Sequence, residues 1–371
     1  MQEEININII DFLKNKKNKA VALWLITGVA LIILQTVLGG VTRLTGSGLS
    51  ITKWEPINGI LPPLSQTDWE KAFNGYKQIG QYKILNNDFN LSDFKSIFFW
   101  EWLHRLCARM LGFVFIIGFV YFLIKNYFDK KMIKPFIILF ILGGFQGFIG
   151  WLMVKTGLNS EDIHVHYIAL SVHFVSAMIL ACYTLWFAFV LLIPAEKKVK
   201  NTNLFSFTVV ITIILFFQLT YGAFMAGLKA AIVAPTWPKI GNEYFPKTLI
   251  SSNWIHDADI PALCLNIQFI HRGLAYLLLI LIIIWYIKAT KSLKNNGNKI
   301  FKNSVLVTLV LVIIQIILGI YSVLNSVYIQ KGKFGIFETL AEIHQLVAMF
   351  LLMSLVLNLY ILKPNKYIQL Q

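Results

Sequence analysis

The sequence predicts an all-α integral membrane protein whose eight transmembrane helices form two tandem four-helix bundles. Three observations predict it. The 371-residue chain is 57% hydrophobic and only 14% charged, with a mean hydropathy of +0.66, outside the range of soluble domains. Short lysine clusters punctuate the apolar runs on alternate sides, as membrane topology requires. An internal repeat relates the first four runs to the last four.

The apolar runs span 20–41, 97–124, 135–154, 166–192, 204–226, 265–287, 304–324 and 341–362, each long enough for a span of about 20 residues. One side of the membrane collects Lys14, Lys16, Lys17 and Lys19, then Lys125, Lys130, Lys131 and Lys134. The same side takes Lys197, Lys198 and Lys200, then Lys288, Lys291, Lys294, Lys299 and Lys302, and finally Lys363 and Lys366. Short basic connections belong in the cytoplasm, so both termini are expected there. The net charge of +15 is thereby assigned to topology rather than to nucleic acid. Met1-Gln2-Glu3-Glu4 is acidic and precedes the first lysines, unlike a cleaved signal or transit peptide. A bacterial inner-membrane protein with a retained first helix is expected.

The opposite side carries two long loops, 42–96 and 227–264, whose Trp, Pro and Gly residues read as ordered caps over the helix ends. The three cysteines, Cys107, Cys182 and Cys264, form no close pair, which argues against a disulfide framework or a zinc site.

The repeat is read from chemistry-bearing residues. Each odd run contains Gln followed four residues later by Gly: Gln35/Gly39, Gln146/Gly150, Gln218/Gly222 and Gln315/Gly319. Each even run carries a histidine near its outer end: His104, His173, His271 and His344. Equivalent residues are displaced by 183 (Gln35 to Gln218), 167 (His104 to His271), 169 (Gln146 to Gln315) and 171 (His173 to His344). Domains 1–192 and 193–371 follow.

A lone membrane histidine is more often a hydrogen-bonded core residue than a ligand, but four at equivalent positions reverse that balance. Two imidazoles projecting into one four-helix bundle suit the two axial positions of a haem iron, giving the pairs His104/His173 and His271/His344. Zinc would want more ligands at closer spacing, and a proton relay a staggered series across the membrane. The glycines admit either a flat macrocycle or a neighbouring helix. The glutamines bond across helices and are not assigned as ligands. Arg105 and Arg272 follow a histidine directly and suit haem propionates, with snorkelling as the alternative. Arg109 lies one turn below Arg105, and Arg43, past the end of the first run, fits either role. Glu101 stands three residues before His104, where Gln268 stands before His271. An acid beside one macrocycle alone marks the first site as reactive and the second as an electron store, unless Glu101 serves only to pair with Arg105. His164, His166 and His256 are expected at the surface.

Together, Gly39-Gly40-Val41-Thr42-Arg43-Leu44-Thr45-Gly46-Ser47-Gly48-Leu49-Ser50, Trp54-Glu55-Pro56, Glu101-Trp102-Leu103-His104-Arg105, Thr236-Trp237-Pro238, His271-Arg272 and the His344 helix resemble the haem A synthase family, in its mitochondrial and alphaproteobacterial form. The resemblance covers nearly the whole chain. It implies oxidation of the C8 methyl of haem O to a formyl group by two hydroxylations and loss of water. It implies a resident haem b on His271 and His344, a substrate haem facing His104 and His173, and Glu101 as the catalytic glutamate. The family's other branch has a cysteine pair in its first outer loop, and 42–96 has none. A haem farnesyltransferase and an electron carrier are expected partners, and a homo-oligomer is left open. The competing readings are a bis-histidine cytochrome b working between quinol and a partner, indifferent to Glu101, and a transporter, which would want broken helices that this sequence lacks.

Overall fold

The computed structural model describes residues 2–55, 58–159, 161–249, 259–293, 298–329 and 334–364, with side chains described from residue 15 onward. Pro56, His256, Asp257, Lys294 and Lys366 lie outside the described residues. Among the described residues there is no strand beyond an isolated bridge between Ile240 and Glu243.

The long helices are α1 (Gln2–Leu44), α3 (Leu91–Ile124), α4 (Lys130–Gly157), α5 (Tyr167–Leu192), α6 (Thr202–Gly227), α7 (Ile260–Leu293), α8 (Lys299–Asn325) and α9 (Ile336–Leu362), with the short α2 (Gln66–Tyr76) in the first outer loop. All eight long helices are apolar and long enough to cross a membrane, with mean hydropathies of 2.0 to 2.7. Seven of the eight contain and outrun an apolar run read from the sequence, while α5 begins at Tyr167, one residue inside its run 166–192. α1 begins at Gln2 rather than 20, α3 at Leu91 rather than 97, α7 at Ile260 rather than 265. Hydropathy marks the stretch fit for lipid, whereas the backbone ladder continues into polar sequence until a cap stops it. At α3 that cap is Asn90, whose side chain accepts from the Ser92 and Asp93 N–H groups while Asp93 answers the Asn90 N–H, a capping box.

Consecutive long helices form hairpins: α1 on α3, α4 on α5, α6 on α7 and α8 on α9. α1 also packs on α5, and α6 on α9. α7 and α8 pack together, while α3 and α4 have no comparable contact. Between residues 1–192 and 193–371 the contacts run α5 to α6, α5 to α9 and α1 to α9. There Arg43 donates to the Ala226 carbonyl at 3.3 Å and Gln345 to the Thr36 carbonyl at 3.1 Å.

Two apolar cores lie at membrane depth. One joins Trp285, Phe301, Ile211, Met349 and Leu352 of α6 to α9; the other joins Leu25, Phe122, Phe136 and Phe187 of α1, α3, α4 and α5. A third, aromatic core built from Leu49, Phe73, Tyr76, Phe94 and Phe98 packs α2 and the first outer loop onto the start of α3. The loop is therefore an ordered cap with its own small core.

Candidate functional site

The four histidines share one local arrangement. A Cβ built on Gly39 would lie 3.1 Å from His104 Cε1, on Gly150 2.8 Å from His173 Cε1, on Gly222 3.2 Å from His271 Cε1, and on Gly319 3.1 Å from His344 Cε1. Each glycine thus clears the space that an imidazole from the paired helix fills, at distances tighter than ordinary packing allows for a side chain. The glutamine one turn earlier meets the same ring. Gln35 Nε2 lies 3.2 Å from the His104 ring nitrogens, Gln146 3.2 Å from His173 Nδ1, Gln218 3.4 Å and Gln315 3.3 Å from Nε2 of their histidines. Gln35 and Gln146 also donate to the carbonyls of His104 and His173, both at 3.1 Å. The module is a helical hairpin in which Gln-x-x-x-Gly of one helix orients the histidine of the next. Its sequence signal was visible, but its meaning was not: the glycines admit the histidine rings themselves.

The His271 and His344 ring centres are 6.4 Å apart. Imidazoles on opposite faces of one iron, each at a metal–nitrogen distance of about 2 Å, would have centres roughly 6 Å apart. Both Nδ1 atoms are buried without a hydrogen-bond partner, as are the amide oxygens of Gln218 and Gln315. Such orphans fit a bound metal: when iron takes one ring nitrogen, the other holds the proton and can donate to an acceptor at its side. Among the described residues no group of three or more His, Cys, Asp or Glu forms a metal cluster.

Glu101 is buried, 2% exposed, and its carboxylate is fully engaged. Arg105 Nη2 donates to Oε1 at 2.5 Å, and the Ser50 hydroxyl and Ile51 N–H donate to Oε2 at 2.7 and 2.8 Å. Arg105 also donates to the Ile51 and Lys53 carbonyls and lies over the Trp54 ring. The three residues that share a helical turn in sequence therefore divide: Glu101 and Arg105 face the cap, and His104 faces α1. In the second half Gln268, wholly buried, donates to the Ala230 carbonyl and accepts from Arg272 at 2.6 Å, while Arg272 also donates to the Lys239 carbonyl. Both arginines lash their helix to an outer loop, a task that sequence alone did not reveal.

A sequence model of the family described as cytochrome oxidase assembly protein matches residues 22–356. The chain belongs to this family. Among its relatives, the "Heme A synthase" of Flavobacterium johnsoniae is 37% identical over 351 residues, covering 93% of this chain and 98% of the relative. That of Flavobacterium psychrophilum is 38% identical over 350 residues, with the same coverage. That of Paracoccus denitrificans is 34% identical over 314 residues, covering 83% of this chain and 81% of the relative. The family match spans every residue of both histidine pairs and Glu101.

For this member of the cytochrome oxidase assembly family the structure also corrects the sequence reading and adds to it. His166 is exposed and caps α5 by accepting the Ile168 N–H. His164, expected at the surface, is partly buried: burial, and then Lys229 beside it, push its imidazole down to about 4. Arg109 donates to the Glu55 carbonyl, so it too serves the cap. A further buried acid is Glu342, 8% exposed on α9, whose carboxylate lies against Gly40 of α1 and accepts from Gln345. Its signal was an acid inside an apolar run, the same signal that drew attention to Glu101. Ser50 stands in the motif after α1, and nothing local in the sequence ties it to a residue 51 positions away.

Proposed function

We propose that this protein is a membrane enzyme that oxidises the C8 methyl of haem O to a formyl group, supplying haem A to a cytochrome oxidase. What carries the reading is one observation: two histidine pairs at repeat positions, with a buried carboxylate one turn before His104 and an amide, Gln268, at the matching place. The names of the similar proteins support it.

In this reading residues 1–192 are a bundle that receives the substrate haem between His104 and His173. Residues 193–371 are a bundle that holds haem b on His271 and His344. Haem b, when bound, supplies a one-electron carrier for the oxidation. Each of two steps replaces one hydrogen of the methyl carbon by a hydroxyl, a two-electron oxidation of that carbon that draws on an oxidant supplied from outside the chain, and the gem-diol then loses water to leave the aldehyde. The chain's own residues bind, orient and shield. The histidines fix the macrocycle plane, the glycines keep the rings in place, and the apolar walls of α1 to α5 keep the hydrocarbon tail out of water. Arg105 and Arg272, at the outer rim, pair with propionates through guanidinium donors not spent on loop carbonyls. Glu101 is the catalytic residue, steadying positive charge or receiving a proton as the methyl group is oxidised. The lysine clusters place both termini in the cytoplasm of a bacterial inner membrane. A haem farnesyltransferase handing over its greasy product and an electron carrier are the partners that this chemistry calls for.

The test is to extract haems from cells making the wild-type chain and Glu101→Ala. Wild type should yield haem b and haem A; the variant should accumulate haem O or the alcohol. Cells lacking the gene that still make haem A would refute the reading.

A further inference from the structure

We propose that Ser50 is a positioning residue for Glu101, and that the polarity of the outer loop above each histidine pair, as much as residues 101 and 268, decides which half has a working acid. The inference rests on the role given to Glu101 above and names what holds that residue in place.

Ser50 is 1% exposed. Its hydroxyl donates to Glu101 Oε2 at 2.7 Å, beside the Ile51 N–H at 2.8 Å on the same oxygen. A carboxylate can only accept, and here donors reach both of its oxygens. The loop that presents them is itself tied down. Its turn passes through Gly46 at φ 69°, and the Ser47 N–H donates to the Thr42 carbonyl at 2.8 Å. Gln81, 3% exposed, donates to the Gly46 and Ile163 carbonyls and accepts from the Tyr76 hydroxyl at 3.0 Å. A chain of fixed groups thus runs from α2 through Gln81 and the loop to the acid, which is how a supporting shell holds a reactive side chain to a narrow range of positions.

The second half makes the comparison. Arg272 meets Gln268 as Arg105 meets Glu101, both across one helical turn. The loop partner is reversed: above Gln268 stands the Ala230 carbonyl, an acceptor, at 2.6 Å from Nε2. A carboxylate there would keep Arg272 on one oxygen but turn the other toward a carbonyl oxygen, a buried repulsion that the first half avoids with a hydroxyl and an N–H. The loops therefore match the residues beneath them, donors over the acid and an acceptor over the amide.

The experiment uses the full-length chain in cells that supply haem O, comparing wild type, Ser50→Ala, Ser50→Thr, Glu101→Gln and the Ser50→Ala/Glu101→Gln double variant. The readouts are the initial rate of haem A formation and the haem spectrum of each purified protein. One hydrogen bond to a charged group sets the expected size: Ser50→Ala slows haem A formation about tenfold or more, with the b-type spectrum and bound substrate haem unchanged. Ser50→Thr keeps the hydroxyl and recovers most of the rate. The double variant is no slower than Glu101→Gln, because residues that act through one another are not additive. A double variant slowed by the full product of the two single effects overturns the proposal, and so does Ser50→Ala that loses the b-type spectrum. Ser50→Ala at the wild-type rate beside a slow Glu101→Gln overturns this proposal alone. Glu101→Gln at the wild-type rate overturns the role of Glu101 and this proposal with it.

Discussion

Gly150 and Gly222 occupy equivalent places in two different hairpins, and their substitution separates the two histidine pairs. A Cβ on Gly150 would stand 2.8 Å from His173 Cε1, so Gly150→Ala must displace that ring; on Gly222 the gap is 3.2 Å to His271 Cε1. Overpacking of this kind costs about 1–3 kcal/mol when the neighbour cannot yield. Gly150→Ala is expected to lower haem A formation while the resident b-type spectrum survives, and Gly222→Ala to lower the b-type haem content itself. Haem extraction from both purified variants checks the pair. His164 offers a test by pH. Its imidazole lies below its ordinary value of 6.5, at about 4, because burial and then Lys229 disfavour the cation. The unfolded chain therefore takes up this proton more readily than the folded one, so the contribution is intact above about pH 6.5 and lost as pH falls toward 4. His164→Gln should flatten the acid side of the thermal stability profile between those values. An unchanged profile would remove His164 from that role.

At the scale of single helices, ends and crossings decide more than apolar content does. α3 begins six residues before its apolar run because Asn90 and Asp93 close a capping box. Asn90→Ala is expected to cost about 1 kcal/mol and to loosen the first turn of α3, read as faster amide exchange at residues 91 to 94 and a lower melting temperature. That turn carries Phe94, wholly buried in the aromatic core under the cap, so the loss propagates to the loop that holds Glu101. The α1–α3 crossing is tight for a different reason. Trp24 donates to the Val114 carbonyl at 3.1 Å and lies over Gly118, where a Cβ would be 2.2 Å from its indole nitrogen. Small residues let transmembrane backbones and large rings approach in this way.

For the molecule as a whole, residues 1–192 and 193–371 meet along α5 and α6, α5 and α9, and α1 and α9. At the outer end of the α5–α6 seam, a Cβ on Gly227 would lie 2.8 Å from the Tyr167 Cα. A clash with backbone has no rotamer to relieve it, so Gly227→Ala should force α5 and α6 apart. The expected result is a loss of about 1–3 kcal/mol in thermal stability, with haem A formation falling before b-type haem content. Arg43 and Glu342 tie α1 to the second half at two places: the guanidinium reaches the Ala226 carbonyl of α6, and the Glu342 carboxylate of α9 rests on Gly40 of α1. Charges at this depth persist only with partners, which ties the two histidine pairs into one molecule.

By itself the sequence determined the class of protein, the eight spans, the four histidines and the asymmetry between Glu101 and Gln268. Those follow from local properties: hydropathy over a span, charge in short loops, and repeat spacing along the chain. Only the tertiary structure decided what those residues touch. The glycines proved to seat histidine rings, Arg105 and Arg272 to grip loop carbonyls, and Ser50 to reach Glu101 across 51 positions. Helix ends moved for the same reason that these partners stayed hidden. A hydrogen bond needs a donor and an acceptor at contact distance, and contact between distant segments is settled by packing, which no window along the chain contains.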